Sequence, residues 1–234
     1  MCGRFFQDLD AEEVRAYFDV DVSTLEHEGG LAPRYNIGPG QPIWTVRSHP
    51  KTQQRSLDAL HWGLIPHFAK DRKIAYRLIN ARSETIERTA SFRTAFARRR
   101  CLVVASGFYE WRTEGKRKQP YAIAPSPHGE RASPLAFAGV WENWMDEETG
   151  EWVRSVAIVT TEASPFVRSL HDRMPVILER DAFSRWLGEE AVDPADLKAL
   201  LRPSPRQLVL WPVDPRMNRV QVEDENILVP INPQ

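Results

Sequence analysis

The sequence predicts an α+β fold with a mainly antiparallel, barrel-like β-sheet flanked by short helices. Three observations carry this. Apolar runs of strand length recur along the chain, separated by Gly, Pro and charged turns. The helical patterns between them are short and uneven, so strands and helices do not alternate in the βαβ series of a parallel sheet. No repeat or linker interrupts residues 1–234, which read as one domain.

The elements follow in order. Asp10 to Phe18 predicts a short helix: Asp10 caps it, Glu13 sits three residues on, and Val14, Tyr17 and Phe18 share a face. Residues 27–42 form a Gly/Pro-rich loop, long enough to suggest a function. Ile43 to Arg47 and Leu57 to Ile65 are strands, and residues 67–78 are basic and irregular. Ser83 caps a predicted helix to about Thr89, and a second helix covers Ser91 to Arg98. Cys101 to Val104 is a buried strand that runs on into Ser106–Trp111 and carries Glu110 near its end. After the charged turn Thr113–Gln119, Tyr121–Ala124 pairs back as a hairpin. Leu135–Trp144 and Trp152–Thr161 form another hairpin around 146–150. A helical turn after Pro165 precedes a strand at Val176–Leu178. Helices are expected at Asp181–Leu187 and Pro194–Leu201, then a strand at Gln207–Val213. The tail, Asn218 to Ile231, has little periodicity.

Hydrophobic content of 42% and charged content of 27% describe an ordinary globular chain rather than a disordered one. No apolar run approaches a membrane span, and the N-terminus lacks a signal-sequence pattern, so the expectation is a cytoplasmic protein away from membranes. No Cys-x-x-Cys or His-x-x-x-His spacing suggests a metal site, and no cofactor is expected. The two cysteines, Cys2 and Cys101, are expected to stay reduced. Net charge is −1, yet Lys70 to Lys118 holds fourteen Lys or Arg against five Asp or Glu. Such a segregated basic stretch is the footprint of a polyanion partner, although a run such as Arg98–Arg100 is more often a solvated face.

The chain opens Met1-Cys2-Gly3-Arg4. The small side chain of Cys2 permits removal of Met1, which leaves a 1,2-aminothiol. Its amine (reference pKa about 7.7–8.0) and thiol (about 8.5) both have a usable deprotonated fraction near neutrality. Such a group attacks an aldehyde to form an imine that sulfur closes to a thiazolidine, or attacks an amide as an N-terminal nucleophile. The ordinary alternative is a small residue buried in a first strand. Three other positions stand out, each with an ordinary reading beside it. Glu110 follows an apolar strand, where a carboxylate is costly to bury unless paired or protonated. His171 precedes Asp172 and Arg173, and Asn80 suits a turn as well as a site.

Taken together, these residues lie within six motifs: Met1-Cys2-Gly3-Arg4-Phe5, Arg34-Tyr35-Asn36-Ile37-Gly38-Pro39, Trp62-Gly63-Leu64-Ile65-Pro66, Asn80-Ala81-Arg82-Ser83-Glu84-Thr85, Gly107-Phe108-Tyr109-Glu110-Trp111 and His171-Asp172-Arg173-Met174-Pro175. In sequence and order the chain resembles the SOS response-associated peptidase (SRAP) family, known for covalent capture of abasic sites in DNA. The family often has alanine where this chain has Gly38. The resemblance implies that Met1 is removed by autoproteolysis and that Cys2 joins the ring-opened abasic sugar as a thiazolidine. It gives Glu110 the role of general acid/base, His171 that of a proton donor to the sugar oxygen, and Asn80 that of orienting Cys2 and the sugar. It implies phosphate contacts by Arg4, Arg82 and Arg173, base stacking or wedging by Trp62 and Pro39, and a partner in single-stranded DNA containing abasic sites. Trp111 reads equally well as core. Strand incision through the imine is a possible accompanying lyase activity. The protein is expected to act as a monomer, associated with the nucleoid when on DNA. Two other classes compete. An N-terminal-nucleophile amidohydrolase or glutaminase would use Cys2 but leave Glu110, His171 and the basic stretch without roles. A non-catalytic DNA reader would not need Cys2.

Overall fold

The computed structural model describes residues 2–25, 32–115, 117–130 and 132–232. Met1 lies outside them, as do residues 27–31 of the predicted loop. Among the described residues no helix is long and apolar enough to cross a membrane.

The larger sheet is built on five strands: β4 (Pro42–Ser48), β5 (Arg55–Trp62), β7 (Arg100–Ala105), β10 (Leu135–Met145) and β11 (Trp152–Glu162). They run antiparallel in the order β11-β10-β7-β4-β5. A parallel pairing of His61 and Trp62 with Ser155 and Val156 then joins β5 back to β11, so the sheet closes on itself. Short strands extend it. β6 (Asn80–Arg82) and β12 (Arg173–Pro175) both lie on β11, β13 (Ile177–Leu178) on β10, and β2 (Val22–Ser23) on β5. The second sheet has the order β14-β9-β8-β1-β3, with β1 at Phe5–Gln7, β3 at Arg34–Ile37, β8 at Gly107–Glu114, β9 at Arg117–Ala124 and β14 at Val209–Pro212.

The strand period of two sorts the core. Along β7, Leu102 and Val104 face one apolar cluster. That cluster also takes in α1 (Ala11–Phe18), α2 (Arg93–Arg98), α3 (Phe183–Leu187) and α4 (Pro194–Ala199). Cys101, Val103 and Ala105 face the other, shared with Cys2, Phe5 and Phe108. A strand buried on both faces reads as an unbroken apolar run, as Cys101–Val104 does.

The predicted α1 cap forms: Asp10 accepts from the Glu13 N–H at 2.7 Å, and Asp19 ends the helix at φ 52°. Both predicted hairpins form, with Glu114 opposite Arg117 and Met145 opposite Trp152. Three expectations change. Residues 83–88 are successive turns instead of a helix, and they leave the β6–β11 ladder at the Ser83 N–H, which donates to the Thr160 carbonyl. Arg34–Ile37 is a strand within the predicted loop, paired with β1 through Phe5–Ile37 and Gln7–Arg34. The aperiodic tail is ordered by two 3₁₀ turns, Pro215–Asn218 and Glu225–Leu228, that bury Met217, Ile227 and Leu228. Asn36 pins it: its amide donates to the carbonyls of Met217, Arg219 and Val222 at 2.9–3.1 Å.

Candidate active site

Three strand pairings assemble the site. β1 runs beside β8, with Phe5 opposite Phe108 and the Tyr109 N–H donating to the Arg4 carbonyl at 3.0 Å. This sets Cys2 alongside the stretch that carries Glu110. β6 lies on β11 and begins at Asn80, whose amide nitrogen donates to the Cys2 carbonyl at 2.8 Å. β12 lies on the same strand and begins directly after Asp172.

Cys2 is fully buried. Burial first, and the negative charge of Glu110 second, push its thiol well above the ordinary range. With Met1 in place the Cys2 nitrogen is an amide, so neither nucleophile is armed.

Glu110 is 2% exposed. Burial pushes its carboxyl up from 4.5 to about 7, and the charge of Asp172 adds to the rise. A carboxyl that titrates near neutrality both gives and takes a proton, as general acid/base work requires. His171 is one-third exposed, and burial holds it below the usual imidazole range. Its Nδ1 receives the Arg173 N–H at 2.9 Å, which places the proton of the neutral ring on Nε2. Asp172 Oδ1 also stands 2.9 Å from Nδ1, where it meets the protonated ring as an ion pair. Asp172 thus bears on both Glu110 and His171. Asn80 Oδ1 is buried and has no hydrogen-bond partner among the described residues, so it remains an acceptor next to Cys2.

Comparison with known proteins agrees with the six motifs. The family model described as SOS response associated peptidase matches residues 1–220. The chain belongs to the SRAP family. Relatives of this SRAP chain include the abasic site processing protein YoqW of Bacillus subtilis, 38% identical over 204 residues, which are 87% of each protein. Another is the abasic site processing protein HMCES of Gallus gallus, 32% identical over 263 residues, covering 99% of this chain and 78% of that one. The fold matches a solved protein from Bacteroides thetaiotaomicron with a TM-score of 0.85 at 24% identity, over 99% of this chain and 100% of the other. A Bordetella bronchiseptica protein matches with a TM-score of 0.73 at 28% identity, over 91% and 100%.

The SRAP residues expected to touch DNA are placed unevenly. Arg82 is exposed, and Pro39 is half-buried in the turn after β3. Arg4 is half-buried: its Nη1 donates to Asn36 Oδ1 at 2.6 Å and to the Met217 carbonyl at 2.8 Å, while its buried Nε has no partner among the described residues. Arg173 is held by Glu84 and Thr160. Trp62 corrects the stacking expectation. It is 0% exposed, donates its indole N–H to the Ile79 carbonyl at 3.0 Å and meets Phe5 edge-to-face at 5.1 Å. A ring so enclosed supports the Cys2 strand and offers no face to a base. Its backbone matters too, since the Trp62 carbonyl accepts from the Gly40 N–H at 2.8 Å and fastens the Pro39 turn. Trp111 is partly buried against the tail cluster and donates to Asn218 Oδ1 at 2.7 Å.

Sequence reasoning passed over two exposed aromatics. Phe68 is 53% and Tyr76 71% exposed, both within the basic segment 67–78. Tyr76 stands against the Pro39–Gly40 turn, since a Cβ on Gly40 would lie 3.7 Å from its ring. The available signal was the interleaving of aromatics with Lys70, Arg72, Lys73 and Arg77, the pattern of single-strand binding surfaces.

Proposed function

We propose that this chain captures abasic sites in single-stranded DNA as a covalent thiazolidine through Cys2, and so shields them during the DNA-damage response. One observation carries the reading: the Asn80 amide rests on the Cys2 carbonyl, beside a buried Glu110 carboxyl that titrates near 7. The names of the SRAP relatives point the same way.

Autoproteolysis of the Met1–Cys2 bond consumes one water and turns the Cys2 amide into an amine. Glu110 assists opening of the sugar hemiacetal to the aldehyde by moving the proton between ring oxygen and hydroxyl. The amine adds to the aldehyde carbon, and loss of one water leaves the imine. The Cys2 thiol then adds across the C=N bond, its proton passing to nitrogen, and the five-membered ring closes. His171 hydrogen-bonds the sugar oxygen, and Asn80 Oδ1 accepts from the new amine. Lyase activity belongs to the imine stage, because the C=N bond acidifies the neighbouring sugar carbon and permits elimination of the 3′ phosphate. Ring closure removes that bond and protects the strand.

Arg4 and Arg82 give phosphate contacts, with Phe68, Tyr76 and Pro39 as the stacking edge. The protein acts as a monomer in the cytoplasm, at the nucleoid. A denaturing gel of mature protein with an oligonucleotide bearing one abasic site tests the reading. A slow band that needs both Cys2 and the lesion is expected. Mature protein that gives no such band sinks the reading, and glutamine hydrolysis is then the assay to run.

A further inference from the structure

Arg173, expected to meet a phosphate, is already engaged. Its Nη1 donates to Glu84 Oε1 at 2.5 Å and its Nη2 to Oε2 at 3.0 Å, a two-point fork. Nη2 also donates to the Thr160 carbonyl at 2.7 Å, and the buried Nε has no partner among the described residues. The Arg173 side chain is 13% exposed, whereas that of Glu84 is 51% exposed. The Arg173 hydrogen bonds hold the Glu84 carboxyl below its usual range, so it is ionised at neutral pH and the two charges cancel. A guanidinium fork accepts a phosphate in the same two-point geometry. Glu84 therefore sits where a phosphate would.

Its surroundings lie on the path a strand would take. Asn80, Arg82 and Glu84 follow at alternate positions, the first on the Cys2 carbonyl and the second exposed. A strand with its lesion at Cys2 and a phosphate on Arg82 meets the Glu84 charge next. On the outward side, Glu84 opens onto a surface hollow lined by Glu162, Lys198 and Arg202, in which Lys198 is already paired with Glu87, so Arg202 is the cation toward which a carboxylate leaving Arg173 moves.

We propose that Glu84 is an electrostatic latch that occupies Arg173 in the free protein and yields it to a backbone phosphate. This rests on the DNA-binding reading above. Glu84 becomes a specificity-determining residue: intact strands, which form no bond to Cys2, are held weakly, while an abasic strand is retained covalently.

The test is fluorescence anisotropy with an intact, labelled single-stranded oligonucleotide over a salt series. The proteins are wild type, Glu84→Gln, Arg173→Gln and the double variant, with melting curves to confirm folding. Glu84→Gln is expected to bind about fivefold tighter at low salt, with the log–log salt slope steeper by about 0.7, the value for one more phosphate neutralised on a single strand. In the Arg173→Gln background the tighter binding disappears. Glu84→Asp, too short to bridge both nitrogens, gives a smaller increase and serves if the Gln variant misfolds. Unchanged or weaker binding by Glu84→Gln overturns the latch and makes Glu84 a strut. An increase that survives Arg173→Gln overturns it also, since the effect would then be repulsion alone. Crosslinking by wild type is run in parallel. No crosslink sinks the functional reading, whereas a crosslink without the tighter binding sinks only the latch.

Discussion

Replacing Glu110 with Gln removes the one carboxyl that the site holds near neutrality while keeping its shape. The magnitude follows from burial. The carboxyl rises from 4.5 to about 7, and each pH unit of that rise is worth about 1.4 kcal/mol, about 3 kcal/mol in all. Below pH 4.5 the group is protonated in both folded and unfolded chains and costs nothing through ionisation. Between 4.5 and 7 the folded chain binds more protons than the unfolded one, so stability falls as pH rises. Above 7 the group is ionised in both states and the full penalty is present. Denaturant unfolding of wild type and Glu110→Gln from pH 4.5 to 8.5 reports this group, because groups that do not interact with it cancel in the difference. The variant should gain about 3 kcal/mol on wild type across the window. At the same time its crosslinking should slow by about 100-fold or more, the usual contribution of a general acid/base. A stability difference that stays flat from pH 4.5 to 8.5 would refute the reasoning, since Glu110 would then be ionised as readily inside the protein as outside it.

Further outcomes follow from the same geometry. Cys2→Ala should abolish the crosslink in the gel yet fold, at a stability cost of about 1 kcal/mol. Phe68→Ala should weaken intact single-strand binding about tenfold, the worth of one stacked base, without moving the melting temperature. Trp62→Ala should instead cost about 3–5 kcal/mol in stability, because its ring is core. Gly107→Ala should lower the melting temperature by several degrees. Its new Cβ would meet Phe6 Cζ at 2.3 Å and the Ile123 carbonyl oxygen at 2.5 Å, and relieving that overlap costs about 1–3 kcal/mol.

Much of the candidate site was legible, because its motifs are unlike ordinary core or turn sequence. A Glu at the end of an apolar strand defies the usual burial pattern, and a Cys directly after Met1 offers an aminothiol that an internal Cys cannot. The surface was read less well. Trp62 and Phe68 lie close together in the chain, and hydrophobicity alone ranks the tryptophan first. Which ring meets solvent depends on β5 pairing with β11, two strands far apart in sequence. The predicted 83–89 helix is likewise replaced by turns that leave the β6–β11 ladder at Ser83, a pairing between segments far apart in the chain.

The sequence by itself determined the fold class, the α1 cap, the two hairpins and the chemical types available: an aminothiol precursor, a carboxyl, an imidazole and an amide. Local rules suffice for these, because caps, turns and period-two burial act over a few residues. Tertiary structure alone decided that Asn80 reaches Cys2, that Asp172 bears on both Glu110 and His171, and that Arg173 is held by Glu84. Hydrogen-bond partners and desolvation depend on which strands lie side by side. That is set by closure of the whole sheet, which no short stretch of the chain encodes.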